Sequence, residues 1–519
     1  MDTGPRGRDK QEMKRYRLLS VLIVVLALSM VLPVAGCKKE PPPPKEITIS
    51  YYVPVVSLDP PLCSRAPDYE WIMNVFNGLV RYKPGSTEVE ADLAERWEVS
   101  PDGLEYTFYL REGVQFHRGY GEVTAKDVKY TFERVQDPEL GSAYRSDFEY
   151  IKSMDIINDY TIKLTLKSVY SDFLPAVLAF RGGYIVCEQA IKDLGDEWAL
   201  KPIGTGAYMV ESYVPNEEHV FVANPDYFRG KPKIDKAIFK CIPDENVQVM
   251  AMVNGEVDYA MIREPEPFNL LKEQGLNYTA TPVFGRFAAT VNILRPGVDD
   301  KRVRQALAYA LDRQEFLDKI WSGMGEIEGI WSVIPPGMLG HTDDVQKYEY
   351  DEQKAKDLLA EAGHPNGQGL PTFYSLGRPA YTPIAETLQG YWSRIGVNLQ
   401  ADPQDGAALT AKWKAGDFDF YMSGPTRAAV DQLLLSISSK QIPGCYTAYD
   451  ALIEAQRAEP DQAKRIEILE EIQRQVAEDC VHIPIYRAHY VTAFRDGVTG
   501  DIPNTFFWLF MLEMMDITE

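Results

Sequence analysis

One apolar run, Leu18 through Val31, is the only stretch of this chain that approaches membrane-spanning length. It falls short of the roughly 20 residues that cross a bilayer. Lys14, Arg15 and Arg17 precede it, and the small residues Val34, Ala35 and Gly36 follow. A basic start, an apolar run and a small-residue cut site describe a secretory signal over residues 1–36. No later segment comes near that length, so everything beyond Cys37 must bury its apolar residues against itself. With 45% hydrophobic and 11% aromatic residues, the chain has the means to build packed cores. Its 519 residues are enough for two or three domains.

Cys37, directly after Val-Ala-Gly, resembles a bacterial lipobox. That resemblance implies cleavage before Cys37, lipidation of its sulfur, and a body held at the outer face of the cytoplasmic membrane or on the periplasmic side. Residues 37–44 include Pro41 to Pro44 and read as an extended, semi-rigid tether. The net charge of −22 argues against nucleic acid as a partner, because phosphate binding needs clustered Lys and Arg. Five cysteines remain after Cys37: Cys63, Cys187, Cys241, Cys445 and Cys480. None has Cys-x-x-Cys spacing, and both one or two disulfides and free buried thiols fit the pattern.

Strand-like and helix-like segments alternate along the whole chain, which sets the class as α/β. Strands are expected at 47–53, 106–110, 161–166, 208–214, 287–292, 419–422 and 481–486. Helices are expected at 69–80, from Thr124 (an N-cap with Asp127 in the first turn), and at 303–311, 353–362, 384–395 and 463–476. Gly363 and Gly396 stand where helix-ending glycines belong. The Gly204-Thr205-Gly206 segment is a turn feeding a strand. It is a poor phosphate loop, since no Lys-Ser or Lys-Thr follows.

A series of blocks in fixed order carries a family resemblance. The first is Asp92-Leu93-Ala94-Glu95-Arg96-Trp97-Glu98-Val99-Ser100-Pro101-Asp102-Gly103, followed by Arg111-Glu112-Gly113-Val114-Gln115-Phe116-His117. Then come Asn224-Pro225-Asp226-Tyr227-Phe228-Arg229-Gly230-Lys231-Pro232, Asn254-Gly255-Glu256-Val257-Asp258, the Asp300 to Arg313 stretch, and Ile483-Pro484-Ile485-Tyr486. Over about residues 47 to 490 the chain resembles the extracellular solute-binding family that serves peptide ABC importers. The resemblance implies a two-lobed periplasmic-binding-protein-like fold of type II, with a hinge, an extra subdomain and a ligand cleft between the lobes. Lobe I would be 45–83, 200–286 and 486–519, the inserted subdomain 84–199, and lobe II 287–485. The expected partners are a small solute, by default a peptide, and the importer's membrane subunits; the protein would be a monomer with no cofactor. A binding protein for a non-peptide or anionic ligand, or a sensor partner, uses the same scaffold. Trp97, Phe108, Phe116 and His117 are expected to be structural.

The same resemblance nominates ligand contacts. An Arg-Pro pair before a helix holds the ligand carboxylate in related dipeptide-binding proteins, and Arg378-Pro379 matches it. A guanidinium fork suits a carboxylate; an interlobe or surface salt bridge is the alternative. Relatives hold the ligand's amino group with an aspartate in a Gly-Asp-Pro-Asp-like loop. Here Ala429 occupies that position, Asp431 stands two residues later, and Arg427 adds an unusual positive charge. Asp431 either substitutes after a loop shift or caps the next helix. The departure favours an anionic or amine-lacking ligand. Tyr51, Tyr52, Trp331 and Tyr381 are candidate aromatic walls or plain packing residues. An exported hydrolase is the enzyme alternative, but neither Gly-x-Ser-x-Gly nor His-Glu-x-x-His occurs, and the six histidines are scattered without a metal cluster.

Overall fold

The computed structural model describes residues 44–63, 66–424, 426–427, 429–442, 445–500 and 511–518, with Met1. The signal, Cys37 and nearly all of the tether lie outside the described residues. The body from Lys45 onward is a compact unit distinct from Met1–Pro44. Among the described residues no helix is long and apolar enough to cross a membrane.

Most strands join one twelve-stranded mixed sheet. Its organising element is the strand His482–Phe494, far longer than the 481–486 expected. Arg487 and His489 break the apolar pattern after Tyr486, yet both are satisfied: Arg487 donates to the Val283 carbonyl and pairs with Glu326, which also meets His489. The first half of this strand pairs antiparallel with Phe287–Val291, and the second half with Tyr259–Ile262 and Asn277–Pro282. Beyond Phe287–Val291 the order runs Phe420–Ser423, Phe373–Gly377, Leu399–Pro403; beyond Tyr259–Ile262 it runs Glu46–Tyr51, Lys236–Cys241, Glu218–Ala223, Tyr208–Val214. The sheet thus has two halves, joined where residues 283–286 and 486–489 cross between them. Ala94–Val99, Glu105–Leu110, Thr161–Leu166 and Ile151–Asn158, in that order, form a separate four-stranded antiparallel sheet.

Local chemistry explains the elements. Helix Ala125–Gln136 starts in a capping box: Thr124 accepts from the Lys126 N–H, and Asp127 accepts from the Thr124 N–H at 2.9 Å. The helix expected at 69–80 runs instead over Ala66–Val75. Asn77 ends it by donating its amide to Asp92, and Val80–Tyr82 pairs as a strand with Val89–Ala91. The Gly204 turn packs against that helix end so closely that a Cβ on Gly204 would collide with the Val75 carbonyl oxygen. His117, a structural residue as expected, meets the Gly206 carbonyl at 2.9 Å. Among the described residues no disulfide joins the five cysteines, and four of them are buried.

His219 is buried, with no hydrogen-bond partner at either ring nitrogen among the described residues, inside a cage of Tyr51, Trp71 and Tyr213. Burial lowers its pKa to about 4, below the ordinary value near 6.5. The unfolded chain therefore takes up this proton first, and the stability it governs is lost as pH falls from 6.5 toward 4. His219→Phe keeps the ring and removes the unsatisfied nitrogens. We expect it to stabilise the fold by about 1 kcal/mol at neutral pH. The margin over the parent should widen on acidification, read as urea midpoints at pH 7, 5.5 and 4.5. A constant margin would show that His219 does not titrate in this way.

Candidate functional site

Both halves of the sheet present their strand carboxyl ends at one region, the position where open α/β sheets bind ligands. On the first half, Glu46–Tyr51 and Tyr259–Ile262 are parallel neighbours, and Tyr52 and Arg263 follow them. The Arg263 guanidinium carbon lies 3.2 Å from the Tyr52 ring centre. Arg263 is fixed by Glu245, which accepts from its Nε at 2.7 Å and from its backbone N–H. Burial pushes the Tyr52 phenol up to about 12, and the positive charges of Arg263 and Arg378 oppose that shift.

On the second half, Phe373–Gly377 and Phe420–Ser423 are also parallel neighbours. Arg378 emerges from the first of these strands. Its charge acts on Tyr421 of its own half and on Tyr52 of the other, which places it between them. It is exposed, and its side chain makes no hydrogen bond or ion pair with any described residue. Tyr381 closes the turn after it, donating its N–H to the Arg378 carbonyl, and packs edge-on against Phe287 at 4.8 Å.

Arg427 follows the second strand. Its neighbour Thr426 bridges to Gly285, and its own N–H reaches the Phe284 carbonyl, so this loop is docked on the first crossing segment. The half-buried Arg427 side chain donates to the Thr426 carbonyl. No described carboxylate pairs with it. Burial, and then the Arg181 guanidinium, hold its pKa below the ordinary arginine value, while Tyr144 and Tyr490 act in the other direction. Its electrostatic neighbours are thus Tyr490 of the first half and Tyr144 and Arg181.

The roles expected of Asp431 are corrected. Asp431 is not available to a ligand amine. It is 3% exposed, and its carboxylate accepts from Arg457 at two positions, from Gln456 and from the Tyr170 hydroxyl. Nor does its side chain cap the short helix Val430–Leu434. Tyr51 is a core residue, buried against Trp71 rather than lining a cleft. Trp331 covers Arg313, whose guanidinium lies 4.7 Å from the indole and donates to the carbonyls of Pro484 and Tyr348. This is a packing role.

Arg263, Glu245 and Glu70 went unnoticed in the sequence. Arg263 has a positional signal, one residue past a strand, but that strand was not recognised. Glu70 is 2% exposed, with one carboxylate oxygen unpartnered; burial pushes its pKa well above the ordinary range, toward the neutral acid. Its acidic character sits among buried Tyr69, Trp71 and Ile72, a pattern that marks packing and nothing else.

A cavity of about 770 Å³ opens elsewhere, lined in part by Tyr106, Val169, Asp172, Leu339, Ala429 and Arg465. Its size suits a small solute. Two of its charged groups, however, are spent on each other: Arg465 meets Asp172 at 2.7 Å. The open guanidinium lies at the strand ends instead, and we place the site there. Among the described residues no three His, Cys, Asp or Glu converge as metal ligands.

A strand-end site shared by two sheet halves with two crossings defines a two-lobed solute-binding protein. Residues 88–433 match the model of the bacterial extracellular solute-binding proteins, family 5. The chain belongs to that family. It is 30% identical over 443 residues to the dipeptide-binding protein of Escherichia coli K12, covering 77% of this chain and 81% of that one. The periplasmic binding protein DppA of Helicobacter pylori, solved with the peptide STSA, superimposes with a TM-score of 0.77 at 25% identity, covering 91% and 98% of the two chains. MoaA of A. tumefaciens R10, solved with mannopinic acid, gives a TM-score of 0.74 at 28% identity, covering 92% and 100%. The chain is thus a solute-binding protein of an ABC importer system, and not an enzyme.

Proposed function

We propose that this protein captures a small carboxylate-bearing solute, by default a short peptide, by closing two lobes over it, and then hands it to the importer. Lobe I comprises 45–83, 200–286 and 486–519, lobe II 287–485, and residues 84–199 form a subdomain inserted in lobe I. The protein acts as a monomer, tethered by residues 38–44 to a lipid on Cys37. The observation that carries the reading is the Arg378 guanidinium, open at a strand end with its charge acting on Tyr52 of the other half. A bound carboxylate gives it the charged hydrogen bonds it lacks, and only closure completes the pocket around the solute. The ligand favours the closed form by as much as it prefers it over the open one.

Native mass spectrometry of the purified protein should reveal a co-purified solute. Scattering with and without that solute should show a more compact bound form; superimposable profiles would remove the clamp. Arg378→Ala should weaken binding by more than about 1.5 kcal/mol, the low end for hydrogen bonds to charged groups. Unchanged affinity by calorimetry would take Arg378 out of the site.

A further inference from the structure

We infer that Arg427 forms a second anion subsite beside Arg378, so that the preferred solute carries two anionic groups rather than a carboxylate and an ammonium. The inference rests on the proposed interlobe site and names the class of solute it selects.

Arg378 and Arg427 follow two adjacent parallel strands, Phe373–Gly377 and Phe420–Ser423, and so lie past the same carboxyl end of the sheet. Neither meets a described carboxylate. The acids that could neutralise them are committed elsewhere. Asp431 is held by Arg457, Gln456 and Tyr170. Asp172 pairs with Arg465 and accepts the Asp431 N–H. Glu326 is taken by Arg487, and Glu245 by Arg263. Glu70 is buried away from water, which disfavours its charged form. The half-buried Arg427 guanidinium has one carbonyl, that of Thr426, and no described counter-charge to offset its lost hydration, and an anion arriving with the ligand would supply one.

The alternative is a zwitterionic peptide. Its carboxylate would meet Arg378, and its ammonium would then lie toward Arg427. Ala429, at the position where an acid would be needed, is buried and offers no charge. Like charges in a closed, water-poor cleft repel strongly. A solute with an anionic group at each end meets attraction at both.

The test is a matched pair of probes, N-succinyl-Ala-Ala and Ala-Ala-Ala, titrated by calorimetry into the ligand-stripped full chain. The two share a C-terminal carboxylate and differ in carrying a carboxylate or an ammonium at the other end. We expect the succinyl probe to bind at least tenfold more tightly. Arg427→Gln should lower its affinity at least tenfold and raise that of trialanine, and Arg427→Lys should keep most of the preference for the succinyl probe. Circular dichroism confirms that each variant is folded. The subsite is overturned if trialanine binds the parent as tightly, if Arg427→Gln shifts both probes alike, or if the succinyl probe fails to bind at millimolar concentration. Arg378→Gln separates the two levels of argument, since it should weaken both probes. If it weakens them while Arg427→Gln has no effect, the second subsite alone fails. If it weakens neither, the underlying site fails.

Discussion

Arg457→Ala is expected to cost about 3–5 kcal/mol of unfolding free energy, because it strands a buried carboxylate. Arg457 donates from Nε and Nη2 to the two oxygens of Asp431, each at 3.0 Å, and both side chains are nearly inaccessible. Burial pushes the Asp431 carboxyl up, and the arginine charge is the chief force against that shift. Around this pair, the Asp431 N–H goes to Asp172, Arg465 pairs with Asp172, and Ser171 donates to the carbonyls of Arg457 and Glu459. The network joins residues 170–172 to residues 431–465, far apart in the chain. A double replacement, Arg457→Met with Asp431→Leu, should recover most of the loss, since a buried ion pair barely outperforms well-packed apolar residues. Guanidinium denaturation of the three proteins checks this. A loss below about 1 kcal/mol for the single change, the range of exposed pairs, would mean that water reaches the pair.

Trp392→Ala should cost a comparable amount, about 3–5 kcal/mol, by opening a cavity in the second half. The indole is fully buried on helix Thr382–Arg394, lies 4.8 Å from the Phe420 ring, and donates to the Leu307 carbonyl at 3.0 Å. Trp392→Phe should cost less, since it retains most of the volume and loses chiefly the bond to Leu307. The helix carrying Trp392 begins just after Arg378, and the strand carrying Phe420 leads to Arg427. Loosening their packing should therefore weaken solute binding in the same direction as Arg378→Ala. A variant with normal affinity and a normal denaturation midpoint would falsify the packing argument.

Periodicity made most of the fold legible. Helix Gln462–Asp479 shows its apolar stripe at Leu469, Ile472 and Val476, and Thr124 announces its helix through a side chain that can cap only a start. The hidden parts depend on partners distant in sequence. The strand through Arg487 and His489 looks interrupted until Glu326 and the Val283 carbonyl arrive to satisfy them. Asp431 looks like a free acid because nothing in its own loop hints at Arg457 and Tyr170. Arg378 is nominated by its Pro379 neighbour, whereas Arg263 comes into view only when two parallel strands set it over Tyr52.

The place of His482–Phe494 in the strand order has a consequence for synthesis. Its neighbours Phe287–Val291 and Tyr259–Ile262 leave the ribosome hundreds of residues earlier than the segment that must slide between them. Until then each waits with a bare row of backbone donors and acceptors, a template for pairing with any other chain. A product cut short just before residue 482 would keep both rows open for good. Such a fragment should clump rather than linger as a half-working protein.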